Sequence, residues 1–153
     1  SMAILDYLER THPEPALLPA DPYLRARAIE LAEIVNAGIQ PMQNLSLLQR
    51  VVKEFDADKL AWGRGYIEKG LAALQTRAGD VAGDFLVGNA LSIADIAFAT
   101  CLTQMTLVAG PVDAGRWPAV AAHHERMSGR PSFGPCLEIC AKIVTQDPID
   151  LRG

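Results

Sequence analysis

The sequence is short of several things, and each scarcity removes a class of protein. Aromatic residues are 6% of 153, and basic residues number 14 against 18 acidic, for a formal charge of −4. No Lys/Arg run or face appears, which argues against nucleic acid as a partner. Cysteines are three, Cys101, Cys136 and Cys140. An odd set without framework spacing fits reduced thiols and a cytoplasmic protein better than a disulfide scaffold. Cys136 and Cys140 stand four apart near His123-His124, but a C-x3-C with no second pair is a poor zinc pattern, so no metal is expected and the thiols read as buried and inert. No G-x-x-x-x-G-K-[ST] exists, so Gly63 and Gly65 read as close-approach positions between helices and not as a phosphate loop. The first residues include Asp6 and Glu9 and no cationic segment, and are not expected to be a secretory leader. No run alternates apolar and polar residues as a half-buried strand does.

What is present is apolar and helical. Hydrophobic residues make up 50% and charged residues 21%, a globular balance. The stretch Gly88-Asn89-Ala90-Leu91-Ser92-Ile93-Ala94-Asp95-Ile96 organises the rest. Ser92 and Asp95 stand three apart at the start of a long apolar run, a capping box with Asp in place of Glu. The spacing predicts that the Ser92 hydroxyl accepts from the Asp95 N–H and that the Asp95 carboxylate reaches back to the Ser92 N–H. Leu91 and Ile96 fit the hydrophobic staple that accompanies such a box. The helix that follows, over residues 92–109, carries one charge, Asp95. A helix apolar on nearly every side is a buried one, here the central post of a bundle. Residues 91–112 are long enough to be mistaken for a membrane span, but Asp95, Gln104 and several threonines argue against that, and no membrane partner is expected.

Along the chain, residues 2–11 form a short amphipathic helix with Ile4, Leu5 and Leu8 on one face. Residues 13–22 hold four prolines and read as an extended linker. Asp21-Pro22 is an N-cap with proline at the first helical position. A helix over residues 23–37 is interrupted by Gly38 and Pro41, with a kink expected there, and resumes over 42–55. Residues 59–78 form the next helix, with Leu60, Ile67, Leu71 and Leu74 facing inward. Two more helices are expected over 117–128 and 132–143. His123 and His124 are adjacent and point to different faces, so surface positions are expected for them. The fold class is all-α, a bundle of six or seven helices.

Three stretches carry a resemblance. Gly88-Asn89-x-Leu91-Ser92-x-Ala94-Asp95 resembles the signature of the glutathione transferase C-terminal domain. Ala37-Gly38-Ile39-Gln40-Pro41-Met42-Gln43-Asn44-Leu45-Ser46-Leu47-Leu48 resembles the G-I-Q-P-x-Q-N-L block of the zeta class, the maleylacetoacetate isomerases. Residues 1–8 resemble the segment that ends the glutathione-binding thioredoxin-like domain of that family, and residues 13–19 its interdomain linker. The resemblance implies two regions: residues 1–20, a remnant last helix and linker, and residues 21–153, the all-helical C-terminal domain.

It also implies roles. Glutathione is the expected co-substrate of the intact family enzyme. Ser1, Gln40, Asn44, Leu45 and Ser46 match positions that approach it, with amides and hydroxyls suited to peptide polar groups. Thiol activation belongs to the thioredoxin-like domain, the expected partner absent from this stretch. No catalytic residue is therefore expected here, and the chain alone is expected to be inactive. One departure concerns the substrate. Leu107 stands where the zeta class has an Arg, and Ala99-Thr100 where it has Pro-Gln, and a leucine cannot pair with a carboxylate. The expected function is the substrate-side and dimerisation domain of a glutathione transferase or glutathione-dependent isomerase. The alternative is a non-catalytic, transferase-like interaction module. Ile4, Leu5, Leu8, Met42, Leu45 and Leu48 are expected to include an exposed apolar set that drives homodimerisation or self-association.

Overall fold

A computed structural model describes residues 2–135, 138 and 139, and its described residues form an all-helical bundle. Six α-helices follow in order: α1 (Met2–Thr11), α2 (Pro22–Glu33), α3 (Leu45–Phe55), α4 (Lys59–Ala78), α5 (Ile93–Ala109) and α6 (Pro118–Ser128). The expected helix over 132–143 is helical at residues 134, 135, 138 and 139, and its remainder lies outside the described residues. The only pairing of strand type among the described residues is an isolated bridge between Ala82 and Gly88.

Local chemistry sets the helix starts. Asp21 accepts from the Leu24 N–H at 2.8 Å, with Pro22 opening α2. Asn44 Oδ1 accepts from the Ser46 N–H at 3.1 Å and caps α3. Asp58 Oδ1 accepts from the N–H groups of Leu60 and Ala61 and caps α4. Each satisfies a donor that the first turn leaves without an intrahelical partner. Asp56, at φ 49°, turns the chain from α3 toward α4.

The expected kink takes a particular form. α2 does not end at Glu33 but widens into a π-helix, Ile34–Ile39, and then tightens into a 3-10 helix, Gln40–Gln43. Pro41 lacks an N–H, so the regular ladder cannot run through it. The Gln40 N–H instead bonds to the Val35 carbonyl, one residue further back than in an α-helix. α4 makes room for this irregular segment. A Cβ at Gly70 would overlap Cγ1 and Cδ1 of Ile39, whereas one at Gly65 would meet nothing. The close approach is therefore at Gly70 and not at Gly65.

α5 lies at the centre. Ile93, Ala94, Ala97, Phe98, Cys101, Leu102 and Met105 are buried, and it packs on α2, α4 and the π and 3-10 segment. From α4, Ile67, Leu71 and Leu74 reach the core, but Leu60 sits in the first turn beside the exposed corner and is 37% exposed. α1 buries no residue fully, though Met2 and Leu5 pack against the core. The linker ties α1 down: the Leu17 N–H donates to Glu9 Oε2 at 2.7 Å, and the Leu17 carbonyl accepts from the Ile93 N–H at 3.0 Å. Of the expected exposed apolar set, Ile4 and Leu8 are exposed, while Leu5 and Met42 are half-buried. Leu48 is 1% exposed, because the apolar stripe of α3 turns it and Val51 inward.

Candidate functional site

The break after α2 delivers a polar turn to the surface. Gln40, Asn44 and Ser46 are all exposed and follow one another along the 3-10 helix and the first turn of α3. Asn44 Oδ1 also accepts from Ser46 Oγ at 2.9 Å, so these two side chains are held together as well as capping the helix. Ser1 lies outside the described residues, and so does the side chain of Leu45.

Gln43, between Gln40 and Asn44, faces inward and was not marked by the sequence reading. It is 4% exposed, and its Oε1 accepts from Cys101 Sγ at 3.2 Å. Its Nε2 is buried with no partner among the described residues. Burial pushes the Cys101 thiol up to about 12, against a small downward pull from Gln43. The thiol therefore stays protonated and serves as a donor, not as a nucleophile. Cys136 and Cys140 lie outside the described residues. Among the described residues, no three His, Cys, Asp or Glu side chains converge as a metal site would require.

Beside the polar turn is a cleft of about 320 Å³, closed on one side by α1. Ile4 and Leu5 line it from α1, Asn36 and Gln40 from the π and 3-10 segment, and Ala97 and Thr100 from α5. Asn36 Nδ2 is buried and unpartnered among the described residues. The Thr100 hydroxyl donates to the Ala97 carbonyl at 3.1 Å.

Under the start of α5 is a third polar group, wholly interior. Asp95 Oδ2 accepts from the Ser92 N–H at 2.7 Å and from Ser92 Oγ at 2.8 Å. The Ser92 hydroxyl oxygen receives the Ala94 N–H at 3.3 Å, while the Asp95 N–H goes to the Ser92 carbonyl. The hydroxyl thus serves a donor one residue earlier than the sequence reading expected. Asp95 Oδ1 accepts from the Leu86 N–H at 2.9 Å and pairs with His123 Nε2 at 2.7 Å. Burial pushes the Asp95 carboxyl up, but the bonds from His123, Leu86 and Ser92 together outweigh it and hold the carboxyl below its ordinary value.

His123 is therefore not a surface residue. It is 1% exposed, with its ring tilted against Phe98 at 5.4 Å. The reason is that α6 presents Val120, His123 and Met127 as one inward stripe, and Asp95 gives the imidazole a partner in the interior. His124 is half-buried on the neighbouring face, and burial followed by the nearby His123 lowers its basicity. Ser, His and Asp together invite comparison with a nucleophilic triad, but the order is wrong. Ser92 Oγ bonds to the carboxylate and not to the imidazole, and all three side chains are closed off from substrate. The group is structural: it fastens α5, α6 and the loop at Leu86 to one carboxylate.

An all-helical bundle with a capped, buried central helix and a surface turn on a neighbouring kink is the arrangement of a glutathione transferase helical domain. The family described as "Glutathione S-transferase, C-terminal domain" matches residues 22–126, and the chain belongs to it. Its relatives are of the zeta class. Maleylacetoacetate isomerase of Rattus norvegicus is 41% identical over 99 residues, 65% of this chain and 44% of that protein. The zeta-class glutathione S-transferase of Euphorbia esula is 36% identical over 134 residues, 87% of this chain and 59% of that one. The crystal structure of maleylacetoacetate isomerase from Anaeromyxobacter dehalogenans 2CP-1, with glutathione bound in its active site, matches with a TM-score of 0.80 at 39% identity. That match covers 87% of this chain and 61% of the other. The chain spans about half the length of the relatives it matches. Among the described residues no helix is long and apolar enough to cross a membrane.

Proposed function

We propose that this chain is the substrate-side and dimer-forming half of a cytoplasmic, glutathione-dependent zeta-class enzyme, catalysing conjugation or cis–trans isomerisation. Residues 1–20 are the end of the thioredoxin-like half and its linker, and residues 21–153 the helical half. The thioredoxin-like half supplies thiol activation, and the helical half supplies Gln40, Asn44, Leu45 and Ser46 to the glutathione side, with Ser1 added from residues 1–20. One observation carries this reading: the π-to-3-10 break holds Gln40, Asn44 and Ser46 exposed in succession, beside a cleft, in the block that matches the zeta class. Amides and a hydroxyl offer both donors and acceptors, as a peptide ligand requires.

The test is an activity assay with glutathione and a chloronitrobenzene electrophile. This chain alone is expected to give no turnover above the buffer rate. Joined behind the thioredoxin-like half of the rat relative, it gives turnover that heat abolishes. Heat-sensitive turnover by the chain alone, or none from a folded chimera, contradicts the reading.

A second reading, a non-catalytic interaction module, is favoured by the outward stripe of α1, where Ile4 and Tyr7 are exposed one turn apart beside Leu8. It predicts a folded chimera without turnover.

A further inference from the structure

We infer that the cleft between α1, the π and 3-10 segment and α5 takes an uncharged, largely apolar molecule bearing one hydrogen-bond acceptor, with Asn36 as the specificity-determining residue. The inference rests on the preceding reading in taking this cleft as the electrophile side, and it names the class of electrophile.

The size fits a small molecule. At about 320 Å³ the cleft lies at the lower end of ligand sites, which run from about 300 to 1,000 Å³. The walls exclude charge. Residues 34–43 contain no ionisable side chain, and α5 contains one carboxylate, Asp95, and one thiol, Cys101, which burial keeps protonated. Asp95 is wholly buried, and its two oxygens are committed to Leu86, Ser92 and His123. On α1, Asp6 pairs with Arg10 and Glu9 accepts from Leu17. Among the described residues no cation lines the cleft. A carboxylate entering it would give up water for uncharged walls, with no guanidinium to replace it.

Among the described residues that line the cleft, the buried polar atom without a partner is a donor, on Asn36. Asn36 stands in the middle of the π-helix, where the backbone is widened, and such turns recur at functional positions. Its Nδ2 is buried with no partner among the described residues. The terminal amide torsion of asparagine is soft, so the NH2 can turn to meet a ligand in the cleft that Asn36 lines. A ligand carbonyl there would satisfy a donor that the protein leaves unmet. Thr100 does not compete, since its hydroxyl hydrogen goes to Ala97.

Three ligands of one shape separate these claims: 4-phenylbutan-2-one, 3-phenylpropanoate and butylbenzene. Each is titrated into the 15N-labelled chain, without glutathione, and followed by amide shifts. The ketone is expected to shift signals of Asn36, Ala97 and Thr100, and the carboxylate to bind at least about tenfold more weakly. Asn36→Leu is expected to weaken the ketone about tenfold, the loss of one net hydrogen bond, and to leave butylbenzene within about twofold. Thr100→Trp, at an exposed position, is expected to block all three. The inference is overturned if the carboxylate binds as tightly as the ketone, if Asn36→Leu leaves the ketone unchanged, or if the ketone shifts signals elsewhere or none. Because no glutathione is present, any of these results leaves the assay of the polar turn standing separately.

Discussion

At the scale of single residues, Asp95 matters most. Four donors converge on its carboxylate from Leu86, Ser92 and His123, so removing it orphans groups in the interior. Asp95→Ala is expected to lower stability by about 3 kcal/mol, from the lost cap and the unpaired donors. Thermal melts compare the two proteins, and an unchanged midpoint would contradict the assignment. The pH dependence has a definite sign. The folded carboxyl titrates below its ordinary 3.8, so its contribution is present above that pH. It is lost as pH falls through the lower folded value, where the unfolded chain binds the proton first. Melts of wild type should therefore drop below pH 3.8 more steeply than melts of Asp95→Asn. Cys101 makes a contrasting case. A thiol held near 12 and buried should resist iodoacetamide at pH 8 in the native chain and react once unfolded. Peptide mapping reads this out, and native alkylation of Cys101 would contradict its assignment as a buried donor.

At the scale of elements, the helices were legible because their ends carry side-chain signals. Asp21-Pro22 and Ser92 are legible as caps in the sequence, whereas Asn44 and Asp58 also cap helices but were not read as caps, and α3 starts at Leu45 and not at residue 42. The irregular segment after α2 was legible only as a disturbance. Gly38 and Pro41 mark a break, but the π-helix depends on how Ile39 seats against α4, a long-range fact. Likewise, no local pattern distinguishes a buried His123 from a surface one, since the deciding partner lies on another helix. The Gly70 contact is of the same kind. Gly70→Val should cost about 1–3 kcal/mol by overpacking against Ile39. Combining it with Ile39→Ala should cost less than the sum of the two changes, as in a double-mutant cycle between contacting residues. Strict additivity would mean that the π segment does not rest on Gly70.

At the scale of the whole molecule, what remains is an exposed apolar stripe and the polar turn. Ile4 and Tyr7 are each 65% exposed on α1, with Leu8 beside them. Clustered apolar surface of this kind rarely stays bare, so the chain should self-associate through α1. Light scattering at rising concentration should show dimers or larger species, reduced by Ile4→Asp with Leu8→Asp. A monomer indifferent to both changes would mean that the stripe is too small to drive association. The central claim is that the polar turn serves glutathione, and it is tested in the chimera with the rat thioredoxin-like half. Gln40→Ala together with Asn44→Ser, the serine preserving the cap on α3, removes both amides while keeping the fold. The measurement is the KM for glutathione against kcat. The account predicts a KM raised about tenfold or more, the loss of one or two hydrogen bonds, with kcat changed by less than about threefold; a KM equal to that of the unmodified chimera would contradict it.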